Sequence, residues 1–409
     1  MTGTRERIEG LLGPDAVGEL ALGTGRPPLP LAIPTGEAEL CAILELAARD
    51  GLCVLPVGAG SRLGWCRPPE ACDLALSTRA LNAIKAYEPG DGTVTALAGT
   101  PMETIARAVA EGGHHLTPDV PRPAGTTLGG VLASGASGFD RLRHGPSRWH
   151  VLGTRVAEAD GHVTSSGGRL VKNVTGYDLH RLYCGSHGSL CVILEASLRL
   201  FPLPERQLVV RAPYPDAESG LAAARSVLTL AMDPIAVVMT DRQEADGGPW
   251  SVEVALGGRE ARVAWEREQI ENLLKGAMVE DGAERAALLR ELEPDAIVTD
   301  TLHLTCRPSK VASVLASTRS LLASAGVHAL CLVHPGVATI DLPLPPGLAG
   351  LPALVRELRS IEGARVAVRG TNLPNEIVPL EAPRAGLALM RRLRATFDPD
   401  GRFAANRIF

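Results

Sequence analysis

A glycine loop near the start of the chain has the composition of an anion-binding turn. Leu52 to Val57 is an apolar segment typical of a short strand, and Gly58-Ala59-Gly60-Ser61 follows it directly. Because glycine has no Cβ, the backbone N–H groups of such a loop can converge on an anion, of which a diphosphate is the natural example. An ordinary tight turn is the alternative. The spacing matches neither GxGxxG nor GxxxxGK, so the Rossmann and P-loop hypotheses find no support.

A second tract rich in glycine and hydroxyl groups covers residues 125–138, with the sequence GTTLGGVLASGASG. Thr126, Thr127 and Ser134 offer hydroxyls, and the glycines let the backbone lie close to a ligand. A glycine-packed helix start is the alternative interpretation. Two such tracts in one domain favour a long nucleotide ligand.

A third tract contains the motifs KNVTGYDLHRL (172–182) and GSHGSLCVI (185–193). Together with PVGAGSRLG (56–64) and PAGTTLGG (123–130), these motifs resemble the FAD-binding domain of the vanillyl-alcohol oxidase, or PCMH-type, flavoprotein family. The nearest branch looks like the FAD-binding subunit of glycolate oxidase, which is related to D-lactate and D-2-hydroxyacid dehydrogenases. The resemblance covers residues 30–205 and the last 25 residues, where FDPDGRFAANRIF is similar to the family's closing segment.

The resemblance implies FAD as the cofactor and assigns residues to it. The diphosphate would be wrapped by the backbone of Val57, Gly58, Ala59, Gly60 and Ser61. The other implied contacts are Pro123, Gly125, Thr126, Thr127 and Gly130 along the ribityl and diphosphate portion, Ser134 and Gly138 beside the flavin, and Gly188 and Ile193 at the adenosine end. Some relatives attach the flavin to a histidine where this chain has Ser61, so we expect non-covalent FAD. Cys184 is a remote candidate for a second attachment.

Two positions depart from the family pattern. Cys191 stands where relatives have a glycine, and backbone with a positive φ would be strained there. The relatives' closing motif, Asn-Pro-Gly followed by Arg or Lys, is here Ala-Ala-Asn-Arg at 404–407. Arg407 is expected to keep the charge at the end of that motif.

No residue is assigned to catalysis by the sequence, but several could contribute. Tyr177, Lys172 and Arg407 are the candidates for the chemical step. A 2-hydroxyacid needs a cation for its carboxylate and a base for its hydroxyl proton, and Arg181, Arg369 and Arg407 are candidate cations. His328 and His334 are expected to share a strand face, but two ligands fall short of a site, so no metal is expected.

The resemblance implies oxidation of a 2-hydroxyacid to a 2-oxoacid by hydride transfer to flavin N5. Dehydrogenases of this family often hold a metal with cap-domain histidines in an HxH-like pattern, and this chain has no such pair. Its absence weakens the hypothesis of an independent dehydrogenase. The smaller cap and the resemblance to the glycolate oxidase branch favour an accessory flavin subunit. The implied partners are an iron–sulfur subunit and a second flavin subunit. A stand-alone FAD-dependent alcohol oxidase or dehydrogenase, and a non-catalytic flavin-binding assembly subunit, remain open as alternatives.

The composition of the chain argues against several other classes of function. A net charge of −5 and only 3% aromatic residues argue against a nucleic-acid partner, which needs basic surface and stacking rings. The eight cysteines form no CxxC pair, so the chain is not expected to hold an iron–sulfur cluster. No stretch is typical of a membrane span or of a signal peptide. We expect a cytoplasmic protein, and attachment to the inner membrane through partners stays open.

The elements expected to position these groups give an α+β protein. Residues 35–50 follow a helical apolar pattern, 83–98 predict a hairpin, and 328–342 predict one strand. We expect a PCMH-type FAD-binding domain of two subdomains at 1–205. An α+β cap at 206–380 should have a ferredoxin-like antiparallel sheet covered by helices, and 381–409 should return to the first domain. No internal repeat is visible.

Overall fold

A computed structural model describes residues 3–22, 27–69, 71–120, 122–169, 176–242, 249–282, 300–345, 347–370, 373–374, 376–380 and 386–404. Two of the candidate catalytic residues, Lys172 and Arg407, lie outside these ranges. No described helix is long and apolar enough to cross a membrane.

The described elements alternate between helices and short strands. The helices are α1 Thr4–Leu12, α2 Glu37–Asp50, α3 Met102–Glu111, α4 Leu128–Ser134, α5 Arg141–His144, α6 Leu179–Tyr183, α7 Ala217–Thr229, α8 Glu260–Leu273, α9 Val311–Ser324, α10 Leu351–Arg359 and α11 Leu387–Phe397. The strands are β1 Val17–Leu20, β2 Leu29–Ala32, β3 Val54–Val57, β4 Leu74–Ser77, β5 Ile84–Glu88, β6 Thr93–Leu97, β7 His114–His115, β8 Val151–Ala157, β9 Val163–Gly167, β10 Val192–Arg199, β11 Phe201–Pro202, β12 Arg206–Tyr214, β13 Ala236–Thr240, β14 Trp250–Gly258, β15 Met278–Asp281, β16 Asp300–Thr305, β17 Leu332–His334, β18 Thr339–Leu344 and β19 Arg365–Arg369.

The chain divides into two compact units. The first unit contains residues 1–137, 146–202 and 380–409, and the second contains 138–145 and 203–379. The short segment 138–145, which the sequence placed in the FAD-binding domain, therefore belongs to the second unit.

The first unit contains two main sheets. One is mixed, with the strand order β1-β2-β4-β3, and the other is antiparallel, with the order β5-β6-β10-β8-β9. The predicted helix at 35–50 is confirmed as α2. Its apolar residues Leu40, Ile43, Leu44 and Ala47 are fully buried, and Gly51 ends it in the left-handed conformation. The predicted hairpin at 83–98 is β5 and β6.

In its described residues, the second unit contains one eight-stranded antiparallel sheet, and this sheet is built from two similar halves. The first half follows the sequence β12-α7-β13-β14-α8-β15 and has the strand order β15-β12-β14-β13. The second half follows β16-α9-β17-β18-α10-β19 and has the same order read from the opposite edge, β17-β18-β16-β19. Each half is a ferredoxin-like motif, and the halves join where β13 pairs with β17. The α+β class is thus confirmed, and the repeat that the sequence did not reveal is one of topology.

The predicted strand at 328–342 is wrong in one respect. The structure has two strands there, β17 and β18, which pair antiparallel around residues 335–338. Ala338 in this turn has a φ of 56°. His328 precedes β17 and is exposed, whereas His334 ends β17, so the two histidines do not share a strand face.

Candidate functional site

A cleft in the first unit brings parts of the three glycine tracts together. The first tract contributes residues 56–63, the second 129–130 and 133–134, and the third 187–188 and 191–193, with Thr78 completing the lining. The cleft encloses about 670 Å³, including solvent at its open mouth. Most of this lining is backbone, glycine or small side chains, as a long nucleotide-like ligand requires.

The first tract lies against the second because Gly58 has no side chain. A Cβ at Gly58 would overlap the Oγ1 of Thr127. β3 ends at Val57, so Gly58 is the point where the chain leaves the sheet and turns toward the second tract. Gly60 then adopts a φ of 80°, which only glycine takes without strain. The two glycines are therefore needed for a close approach and for a turn, respectively.

The second tract is the start of helix α4. Thr127 is its N-cap, and its Oγ1 accepts a hydrogen bond from Gly130 N at 3.3 Å. Gly129 packs against Ala98, which directly follows β6, since a Cβ at Gly129 would lie 2.9 Å from the Cβ of Ala98. Ser134 donates its hydroxyl to the Gly130 carbonyl at 2.7 Å. The hydroxyls of Thr127 and Ser134 thus hold the helix in shape.

The third tract joins the C-terminal end of α4. Gly185 N donates to Leu132 O at 2.9 Å, and His187 N donates to Ala133 O at 2.7 Å. His187 has a φ of 52°, an unusual value for a residue with a side chain. These bonds carry Gly188, with a φ of 74°, to Pro56 of the first tract and close the cleft.

Arg62 places a positive charge in this cleft, and sequence reasoning did not identify it. Its Nη1 donates to Ser61 Oγ at 3.2 Å and to Thr126 Oγ1 at 3.3 Å, so it spans the first and second tracts. The guanidinium carbon also lies 5.5 Å from the centre of the Trp65 ring, within range of a cation–π contact. Among the described lining residues, Arg62 is the one arginine or lysine.

The predicted cofactor contacts fall into two groups. Those that line the cleft are Val57, Gly58, Ala59, Gly60, Ser61, Gly130, Ser134, Gly188 and Ile193. Those outside the lining are Pro123 and Gly125, in an exposed turn, the buried Thr126 and Thr127, and Gly138. Gly138 belongs to the second unit. The lining residues that the sequence did not assign to the cofactor are Pro56, Arg62, Leu63, Thr78, Gly129, Ala133, His187, Cys191 and Val192.

Two cysteines adjoin the third tract. Cys191 is buried, burial raises its pKa, and its backbone does not have a positive φ. The strain expected from replacing a glycine is therefore absent at Cys191. Burial also raises the pKa of Cys184 to about 12, and its Sγ donates to His180 O. A thiol held in its neutral form is a poor nucleophile, so this environment does not favour attachment of a flavin at Cys184.

The remaining polar candidates of the first unit are separate from the cleft lining. Tyr177 is 90% exposed, and its carbonyl accepts a hydrogen bond from Ser166 Oγ. Arg181 lies on the surface and pairs with Asp178 at 3.4 Å. His180 is buried against Ser166, and burial lowers its pKa. His180 is thus a packed polar residue.

The second unit contains a half-buried polar cluster on four neighbouring strands. His303 Nδ1 lies 2.6 Å from Asp341 Oδ1, His334 Nε2 lies 3.8 Å from Asp341 Oδ2, and Arg369 Nη1 lies 3.9 Å from Asp341 Oδ1. Although burial opposes ionisation, the neighbouring histidines and Arg369 lower the pKa of Asp341 to about 2. An ionised Asp341 can only accept, so His303 Nδ1 donates to it.

Burial is the main cause of the pKa shifts of both histidines in this cluster. It lowers the pKa of His334 to about 4 and lowers that of His303 in the same direction, and the charge of Arg141 adds to both effects. His303 is therefore neutral near pH 7, with its proton on Nδ1 and a lone pair on Nε2. Among the described residues, no group of three or more His, Cys, Asp or Glu side chains is placed to hold a metal ion.

Comparison with known sequences gives a consistent set of similarities. Residues 28–167 match the FAD binding domain family. The chain is 28% identical over 209 residues to the glycolate oxidase subunit GlcD of Bacillus subtilis, covering 51% of this chain and 44% of GlcD. It is 29% identical over 319 residues to a D-2-hydroxyglutarate dehydrogenase of Xanthomonas citri, covering 72% and 68%. The glycolate oxidase subunit GlcE of Escherichia coli is 39% identical over 137 residues, covering 33% and 39%. The chain thus spans less than half the length of two of these three relatives.

Comparison with solved structures supports the fold. An alkyldihydroxyacetonephosphate synthase has a TM-score of 0.71 and 14% sequence identity, covering 98% of this chain and 83% of that structure. At this identity the similarity concerns the fold alone.

The residues of the cleft fit FAD. They form a backbone-lined cradle that one added Cβ at Gly58 would disturb, and Arg62 supplies a charge opposite in sign to a diphosphate. When bound, FAD supplies an acceptor for a hydride. The match of residues 28–167 to the FAD binding domain family, with the cleft built largely from them, indicates FAD as the cofactor of this part of the chain.

Proposed function

We propose that this chain is an FAD-dependent oxidoreductase, a glycolate-oxidase-like FAD-binding subunit that oxidises a 2-hydroxyacid to a 2-oxoacid. The observation that carries the proposal is the cleft formed by the three glycine tracts within a sequence that matches the FAD binding domain family. The relatives named for glycolate, D-lactate and D-2-hydroxyglutarate support a 2-hydroxyacid as the substrate class.

Partner subunits belong to the same proposal. Similarity to GlcD and GlcE, each named as a subunit, favours an assembly. We propose that its other members are a second flavin subunit and a subunit with iron–sulfur clusters, to which electrons would pass. We also propose that FAD is held non-covalently, with Ser61 where a histidine attachment would be. A cytoplasmic location follows from the same proposal.

Reduction of the bound flavin tests the activity directly. The full chain, reconstituted with FAD, is mixed without oxygen with glycolate, D-lactate, L-lactate, D-2-hydroxyglutarate and several alcohols without a carboxylate in turn, and the visible flavin band is followed. We expect at least one of these acids to bleach the band. Bleaching only by alcohols without a carboxylate would favour the stand-alone alcohol oxidase, and bound flavin that no compound reduces would favour an assembly subunit.

A further inference from the structure

We propose that Arg62 recognises the diphosphate of FAD and thereby makes the cleft select FAD over flavins that lack a diphosphate. This inference rests on FAD binding by residues 28–167. It adds a side-chain contact of this particular chain to a loop whose expected contacts were all backbone.

The position of Arg62 is the first reason. It comes directly after the loop 58–61, and its side chain lines the same cleft as Gly58 and Ser61. A cation at the edge of a loop whose N–H groups face an anion strengthens anion binding, because a charged donor forms shorter and stronger hydrogen bonds than a neutral one.

The attachment of the guanidinium is the second reason. One of its nitrogens contacts both Ser61 and Thr126, residues of two different tracts, and its face lies over the Trp65 ring. Ser61, Thr126 and Trp65 hold the side chain in one orientation before any ligand binds. A pre-oriented guanidinium loses less conformational entropy on binding than a mobile one, and its planar fork matches phosphate oxygens.

Charge balance is the third reason. The described lining of the cleft contains no aspartate or glutamate, and Arg62 is its one arginine or lysine. A diphosphate carries negative charge throughout the neutral pH range. The expected consequence is that the diphosphate half of FAD depends on Arg62, whereas the isoalloxazine half does not.

Binding of two flavins to matched variants tests this inference. FAD and riboflavin, which shares the ring and ribityl chain but has no phosphate, are titrated into the flavin-free full chain while flavin fluorescence is recorded. The proteins are the wild type, Arg62→Gln, Arg62→Lys and the control Arg107→Gln, which changes an exposed arginine on α3 of the same unit.

Arg62→Gln should bind FAD roughly 10- to 100-fold more weakly than the wild type and bind riboflavin with unchanged affinity. The FAD affinity of Arg62→Lys should lie between those of the wild type and Arg62→Gln, because lysine keeps the charge but not the planar fork. Added salt should weaken FAD binding more in the wild type than in Arg62→Gln. Arg107→Gln should behave as the wild type.

Two results would overturn the inference. One is an Arg62→Gln protein that binds FAD as tightly as the wild type. The other is an equal loss of FAD and riboflavin affinity, which would indicate that Arg62 only supports the shape of the loop. Failure of the wild type itself to bind FAD would instead refute the proposed function, so the two failures are distinguishable.

Discussion

Asp341 and His334 are the residues whose ionisation should shape the stability of the second unit. The folded pKa of His334, about 4, lies below the ordinary histidine value near 6.5, so the unfolded chain takes up this proton first as pH falls. Stability from His334 is therefore complete above about pH 6.5 and is lost toward pH 4. The folded pKa of Asp341, about 2, makes its contribution disappear between about pH 4 and pH 2.

We accordingly predict that the unfolding free energy of the second unit falls as pH decreases from 6.5 to 4. His334 alone should account for a loss on the order of 3 kcal/mol, from about 1.4 kcal/mol for each pKa unit. Urea denaturation at a series of pH values measures it, with His334→Gln expected to flatten the dependence and His328→Gln to leave it unchanged. A wild-type stability that is constant over this range would contradict the prediction.

Single residues also show where sequence reasoning stops. The glycines of the first tract could be assigned to an anion site because their lack of a side chain is itself the signal. Arg62 could not, since an arginine after a loop looks the same in sequence whether it faces solvent or contacts Thr126, 64 residues later. The sequence likewise did not show that the hydroxyl of Thr127, a residue expected along the cofactor, caps α4.

At the scale of elements, the cleft depends on how closely the loop after β3 approaches the start of α4. We predict that Gly58→Ala, which places a methyl group against Thr127, destabilises the first unit by about 1–3 kcal/mol and weakens FAD binding at least tenfold. Gly168→Ala is the matched control, since a Cβ there meets no atom within 4 Å. Thermal denaturation and FAD titration of both variants provide the measurement.

Wild-type stability and FAD affinity in Gly58→Ala would show that the two tracts need not approach as closely as the structure indicates. Loss of both properties in Gly168→Ala as well would show that the first unit tolerates no added methyl group, and the effect would not be specific to the cleft.

Elements with a strong local signal were predictable and those set by pairing were not. Helix α2 follows from its apolar spacing and its terminal glycine. The strand predicted at 328–342 is two strands, because a continuous apolar run does not show where a chain turns back to pair with itself. The duplication of the ferredoxin-like motif was invisible for a related reason. The order of strands and helices depends on the spacing of hydrophobic residues, so two segments can share a topology without sharing residue identities.

At the scale of the whole molecule, the end of the chain completes the sheet that begins the FAD-binding unit. Val54 N donates to Arg402 O, and Ala404 N donates to Val54 O, so the C-terminal segment pairs with β3 next to the cleft loop. Phe403 is buried in the core beside β3. Residues 402–404 therefore pack with the first unit, and the return of the whole segment 381–409 to the first domain stays a prediction.

The central claim is that three separate glycine tracts form one cleft for one FAD. Its most direct measurement is the amount of flavin bound to the purified full chain after reconstitution and removal of free cofactor. We predict one FAD per chain, recovered intact in the supernatant after acid precipitation, as non-covalent binding requires. A correctly folded chain that retains no FAD would contradict the claim, and flavin that precipitates with the protein would contradict its non-covalent attachment.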